Sequence, residues 1–239
     1  MAKRILITND DGIDADGLIR LVQAAKDFGE VWVVAPDGQR SAASHSISLR
    51  NPIDVYPYDF PVSGVHAYSC SGTPADCIRV GSLSVMPEKP DIVMTGINFG
   101  YNVASDIQYS ATVGAALEGE FQGYHSIAFS EGLNGLHETT DKYLKEIMAE
   151  LVEKEYKPGF IYNVNFPGCK LEKCKGILRD RTVSRRAFYI DSYKEVKKLD
   201  NGGISYMVDG TFAPTSETGT DIGAILDNYV SIGLVENLC

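Results

Sequence analysis

The sequence predicts an α/β protein with a mostly parallel sheet flanked by helices, and three observations carry that prediction. Short apolar runs at residues 5–7 and 31–35 and within the segment 91–95 are followed closely by Asp, Pro or Gly, as expected for strands buried on both faces. Stretches with apolar residues at helical spacing lie between such runs. Polar clusters follow the runs, at the strand ends where open α/β sheets hold their ligands.

Taken in order, the run 5–7 stops at Asn9, Asp10, Asp11 and Gly12. Leu18, Leu21, Val22, Ala25 and Phe28 then recur at helical spacing, and Gly29 is expected to close that helix. The strand 31–35 is broken by Pro36, Asp37 and Gly38 and followed by a long polar loop, 37–48. Residues 53–58 and 65–70 are extended segments. Thr73 is expected to cap a helix with Pro74 in its first turn. The strand 91–95 ends in Gly96-Ile97-Asn98-Phe99-Gly100, a small-residue helix spans 112–121, and another strand spans 126–130. Tyr143, Leu144, Ile147, Met148, Leu151 and Val152 form the buried stripe of an amphipathic helix, and the strand 160–166 stops at Pro167. The texture then changes. Basic and polar residues over 170–198 surround residues 187–190, and Asn201-Gly202-Gly203 marks a turn before 204–208, as in an antiparallel excursion. A short helix at 221–226 and a strand at 229–234 are expected to return to the main sheet. Residues 1–168 thus form the core, and 169–239 an excursion belonging to the same domain.

No apolar run of this 239-residue chain approaches the ~18 residues needed to span a bilayer. Asp10 and Asp11 interrupt the apolar stretch at the N-terminus, so a signal peptide is not expected and cytoplasmic residence is. Five cysteines (Cys70, Cys77, Cys169, Cys174 and Cys239) are an odd number, which suits thiols in a reducing compartment better than a disulfide framework. Cys169 and Cys174 have no second pair or nearby His to complete a zinc site. A net charge of −10 argues against a duplex nucleic-acid binder, and an anionic substrate would need a local source of positive potential.

Four polar clusters supply candidates. Asp10 and Asp11 are adjacent like charges, costly unless a cation or a proton relieves them; a hard divalent cation would do so, and a loop capping the next helix is the plainer alternative. In the loop 39–46, His45 is either a surface residue or a proton-transfer group, and Arg40 is either solvated or a phosphate ligand. Asn98, at a strand end between glycines, is a candidate oxygen ligand for a metal, a phosphate donor, or an Asx turn. Ser110 and Thr112 are candidate helix caps, at a helix start that could equally hold a phosphate. Gly114, Ala115 and Ala116 would allow close approach of a neighbouring strand.

In order and separation these clusters resemble the SurE family of 5′/3′-nucleotidases. Residues 5–12 resemble its opening strand and Asn-Asp-Asp-Gly turn; residues 33–37, 39–41 and 44–48 match a second signature, and 71–77 a third. Residues 96–102 and 109–119 match two more, and Thr220-Asp221 with 229–232 resembles the C-terminal one. The resemblance implies a Rossmann-like core and a divalent-metal-dependent phosphomonoesterase acting on nucleoside 5′- and 3′-monophosphates. It further implies one Mg²⁺ or Mn²⁺ per subunit on Asp10, Asp11, Ser41 and Asn98, and a homodimer or homotetramer, for which the excursion 170–206 is the candidate contact. On this reading Asn98, Ser110, Thr112 and Arg40 contact substrate phosphate, and His45 passes a proton to the leaving alkoxide. Four positions depart from the family pattern. Ala111 replaces the usual Gly, and its methyl either tilts the phosphate-facing turn or is accommodated. Gly233 replaces Thr, and Leu234-Val235 replaces Pro-Leu. Two other functions are open: a Mg²⁺-dependent phospho-signalling receiver, and a non-catalytic nucleotide-binding module. A receiver needs an Asp and a Lys at later strand ends, where this chain has Asn98 and Glu131.

Overall fold

The computed structural model describes residues 2–238, so Cys239 lies outside it. The elements are β1 (Lys3–Thr8), α1 (Asp16–Ala25), β2 (Gly29–Pro36), β3 (Val55–Pro57), β4 (His66–Cys70), α2 (Pro74–Val80), β5 (Ile92–Phe99), α3 (Ala111–Phe121), β6 (His125–Glu131), α4 (Glu138–Val152) and β7 (Phe160–Phe166). There follow β8 (Ile177–Arg181), β9 (Tyr189–Ile190), β10 (Tyr193–Lys198), β11 (Ile204–Val208), β12 (Thr211–Phe212), α5 (Asp221–Leu226) and β13 (Val230–Glu236). Among the described residues, nine strands form one sheet in the order β3-β4-β2-β1-β5-β6-β7-β13-β8. The six strands from β4 to β7 run parallel; β3 and β13 are antiparallel to β4 and β7.

Residues alternating along β1 explain why its run is continuously apolar. Ile5 and Ile7 face a core shared with Leu18, Leu21, Ile147 and Leu151 of α1 and α4. Leu6 faces the opposite side, with Ile78 of α2 and Ala115 of α3. Both sheet faces are therefore covered, and no alternating polar residue is tolerated. The chain winds outward from β1 through β2 to β4, then returns to place β5 on the other side of β1. That reversal opens a crevice between the carboxyl ends of β1 and β5.

Several sequence expectations are corrected. Gly29 does not cap α1, which ends at Ala25; it opens β2, where a Cβ would lie 2.1 Å from the Lys3 carbonyl oxygen. β5 does not stop at Thr95 but continues to Phe99 through a register shift against β6, and Asn98 lies at the strand end, as expected. The stretch 170–198 is not all antiparallel excursion, because β8 joins the main sheet parallel to β13. The excursion proper holds two small antiparallel ladders, β10–β11 and β9–β12. Asn201, in the left-handed region at φ 67°, turns the first of these. No helix among the described residues is long and apolar enough to cross a membrane.

One buried carboxylate ties the excursion to the core. Asp221, at the start of α5, accepts from the Ala104 N–H at 2.9 Å, the Ser184 N–H at 3.0 Å and the Ile222 N–H at 2.7 Å. Removing it would strand buried donors on both sides of the contact, which costs about 3 kcal/mol. Asp221→Ala should therefore lower Tm by roughly 6–12 °C in calorimetry, with exchange protection lost first around residues 104 and 184. A Tm within about 2 °C of the parent would contradict this role.

Candidate active site

Four segments meet at the crevice between β1 and β5. The turn after β1 is held by Asn9, fully buried, whose Nδ2 donates to the Gly12 carbonyl at 2.9 Å. Asp10 is 4% exposed, and its Oδ1 accepts from the Thr112 hydroxyl in the first turn of α3. The Asp10 carbonyl accepts from the Arg40 N–H at 2.7 Å, which fastens the loop 37–48 to the same turn. Asp11 Oδ2 accepts from the Phe99 N–H at 3.2 Å, joining the end of β5.

Burial pushes the Asp10 carboxyl up to about 6; the Thr112 hydrogen bond opposes this, and the neighbouring charge of Asp11 adds to it. Asp11 is also raised by burial, against the Phe99 amide. The charge acting on Asp10 is thus another carboxylate's, and among the described residues no basic side chain offsets either one. Two adjacent, partly desolvated carboxylates without a basic partner suit a hard divalent cation, which takes oxygen donors.

The other candidates are distributed around this pair. Asn98 donates from Nδ2 to the Gly100 carbonyl at 2.8 Å, which fixes the amide and leaves Oδ1 without a hydrogen-bond donor among the described residues. The Asx-like bond and a ligand role are therefore compatible. Ser41 lies in the exposed part of the loop, its Oγ accepting from Gln39 Nε2 at 3.0 Å. Ser110 caps α3 by accepting the Val113 N–H at 3.0 Å. Thr112 is not a cap; its hydroxyl is committed to Asp10. Ala111 is fully buried as the first helical residue beside an intact cap, so its methyl is accommodated. Gly233 lets β13 approach β8, since a Cβ there would lie 2.2 Å from the Arg181 carbonyl oxygen.

Two candidates point elsewhere. Arg40 reaches the crevice through its main chain, while its guanidinium pairs with Asp37 at 2.7 Å. His45 Nε2 lies 2.8 Å from Glu118 Oε2, and Glu118 also accepts from Arg79 at 2.9 Å and Gln122 at 2.8 Å. Burial pushes the Glu118 carboxyl up, but His45, Gln122 and Arg79 outweigh it and hold the group below its ordinary range. Glu118 is six residues beyond Thr112, about 9 Å along α3, so His45 is held along the helix rather than on the aspartates. Gly114 does not face a strand as expected. It faces the loop, where a Cβ would lie 2.4 Å from the Ser44 carbonyl oxygen.

Sequence reasoning missed Glu118, the Phe99 amide and the Thr112–Asp10 bond. Glu118 lay within a matched motif, but nothing local linked it to a histidine 73 residues away. A 440 Å³ cavity opens beside Gly100, walled by Tyr101, Phe188, Tyr189 and Phe212. A larger one of 650 Å³ lies at the opposite end of β7, near Phe160, and carries Arg179, Arg181 and Arg185.

The chain is similar to known proteins over most of its length. The model of the family described as Survival protein SurE matches residues 5–188. The 5′-nucleotidase SurE of Clostridium botulinum (strain Loch Maree / Type A3) is 37% identical over 232 residues, covering 95% of this chain and 90% of that one. The 5′-nucleotidase SurE of Thermosipho africanus is 37% identical over 231 residues, covering 95% and 89%. The crystal structure of the SurE protein from Aquifex aeolicus superposes with a TM-score of 0.81 at 33% identity, over 98% of this chain and 93% of that one. The chain belongs to the SurE family.

Proposed function

We propose that the protein is a divalent-metal-dependent phosphomonoesterase, a 5′-nucleotidase that also accepts nucleoside 3′-monophosphates. The observation that carries this reading is the Asp10–Asp11 pair, buried at Asp10 and half-buried at Asp11, which has no basic partner among the described residues and is held by the β5 terminus and the start of α3. The names of its relatives, 5′-nucleotidase SurE, supply the substrate class.

Asp10, Asp11, Ser41 and Asn98 would hold one Mg²⁺ or Mn²⁺ per subunit. Such an ion, when bound, polarises a phosphoryl oxygen and offsets the charge that develops on transfer. Thr112 and the Phe99 amide fix the two carboxylates, so little reorganisation accompanies binding. Ser110 and the first turn of α3 present a hydroxyl and main-chain amides to the phosphate oxygens, an anion site in an otherwise acidic molecule. His45, its ring oriented by Glu118, is assigned the proton that reaches the leaving alkoxide. Arg40 adds positive charge at the loop, and release from Asp37 would let it meet phosphate.

The same reading places the protein in the cytoplasm as a homodimer or homotetramer. The described cysteines are free thiols, which fits a reducing compartment. The hairpin β10–β11 exposes Tyr193, Val196, Tyr206, Met207 and Val208, apolar surface that a second copy would cover.

Asp10→Asn and Asp11→Asn should each stay folded and lose roughly 10³-fold in multiple-turnover phosphate release from AMP. Parent-like turnover by both, in buffers of controlled metal, would contradict the assignment. A receiver or a passive nucleotide binder would show no sustained turnover even in the parent. Ser41→Ala should weaken Mn²⁺ binding about tenfold by calorimetry, because one neutral oxygen among several is lost. An unchanged affinity would remove Ser41 from the ligand set.

A further inference from the structure

We infer that the cavity between the Asn98–Gly100 turn and the β9–β12 ladder is the subsite for the nucleobase, where a neutral heteroaromatic ring stacks on Phe212. The inference rests on the nucleotidase reading and deepens it. Position comes first. The Phe99 amide holds Asp11, and the next residue, Gly100, is a wall of the 440 Å³ cavity. A phosphate at the aspartates and a base in the cavity are thus adjoining compartments, separated by one turn of chain.

Chemistry selects the occupant. Pockets of 300–1,000 Å³ take small organic ligands, and this one has no charged side chain among its lining residues. It is unsuited to phosphate, unlike the arginine-rich cavity at the far end of β7. Its rings are mutually braced. Phe188 meets Phe212 edge-on with centroids 4.8 Å apart at 77°, Tyr189 at 5.3 Å and 75°, and Tyr101 at 6.4 Å and 88°. The Tyr101 hydroxyl accepts from the Gly168 N–H at 2.7 Å, which pins that wall to the core. An edge-to-face contact occupies the edge of one ring and one face of the other, so the opposite ring face is left for a flat partner. Phe188 is buried, whereas Phe212 is 50% exposed, so part of the latter ring remains for a ligand.

Asn134 adds a polar point. Its Oδ1 accepts the Leu136 N–H and its Nδ2 donates to the Gly168 carbonyl, which leaves one N–H of the amide uncommitted among the described residues. That N–H suits a ring nitrogen or an exocyclic oxygen. Because every base has a π-face, stacking here supports binding of purines and pyrimidines alike, with modest discrimination between them.

Phe212→Ala, Phe212→Trp and the parent should be compared on AMP, CMP and ribose 5-phosphate. The ratio of kcat/KM for AMP over ribose 5-phosphate should fall about tenfold in Phe212→Ala, recover in Phe212→Trp, and behave likewise for CMP. An unchanged ratio overturns the subsite. Failure of the parent to release phosphate from all three would instead sink the nucleotidase reading, and adenosine binding followed by tyrosine fluorescence then decides the subsite. Saturable quenching weakened about tenfold in Phe212→Ala supports it, and absence of saturable binding by the parent overturns it.

Discussion

The structure is organised around a repulsion. Two carboxylates follow one another at the end of a buried strand, and one of them is itself almost wholly removed from water. Ionising both there is costly, and burial accordingly raises both pKa values. The surrounding elements limit that cost with neutral donors: the Thr112 hydroxyl on Asp10 and the Phe99 amide on Asp11. Neither donor cancels charge. The pair is left organised, without a compensating positive charge among the described residues, at the point where the winding of the sheet reverses.

Bringing four segments to that point requires close approaches that larger residues would block. Gly114 admits the carbonyl of Ser44, so the loop that carries Ser41 lies against α3. Ser44 fastens it further, its N–H donating to the Tyr109 carbonyl at 3.1 Å and its Oγ to the Gln108 carbonyl at 2.6 Å. Beyond β5, Asn102 knits the chain to its neighbours by donating to Asn165 and Ser130 and accepting from Asn163. Asp221 then attaches the excursion to Ala104 in the same region, which sets the aromatic rings of β9 and β12 beside the site. Core, loop and excursion thus share one anchoring zone.

Much of this was legible in the chain because the governing forces are local. Strands buried on both faces leave unbroken apolar runs, α4 shows its stripe, and Thr73 with Pro74 marks a cap that the structure completes as a reciprocal Thr73–Asp76 pair. Edge strand β8 was hidden because its Arg179-Asp180-Arg181 end is partly solvated and looks like loop. Gly29 misled because a glycine needed for strand approach looks like one needed for a helix cap. The direction of Arg40 and the Glu118 partner of His45 depend on contacts across the fold, which spacing along the chain does not encode. The same holds for the pairing of Phe188 with Phe212, 24 residues apart and meaningful only once both face Gly100.

The central claim is that one divalent cation settles on the paired aspartates together with the end of β5. Crystals grown with Mn²⁺ and measured for anomalous scattering test it most directly. The account predicts a single peak per subunit in contact with Asp10, Asp11 and Asn98. A map in which manganese binds elsewhere, or leaves those three side chains without a shared peak, would contradict it.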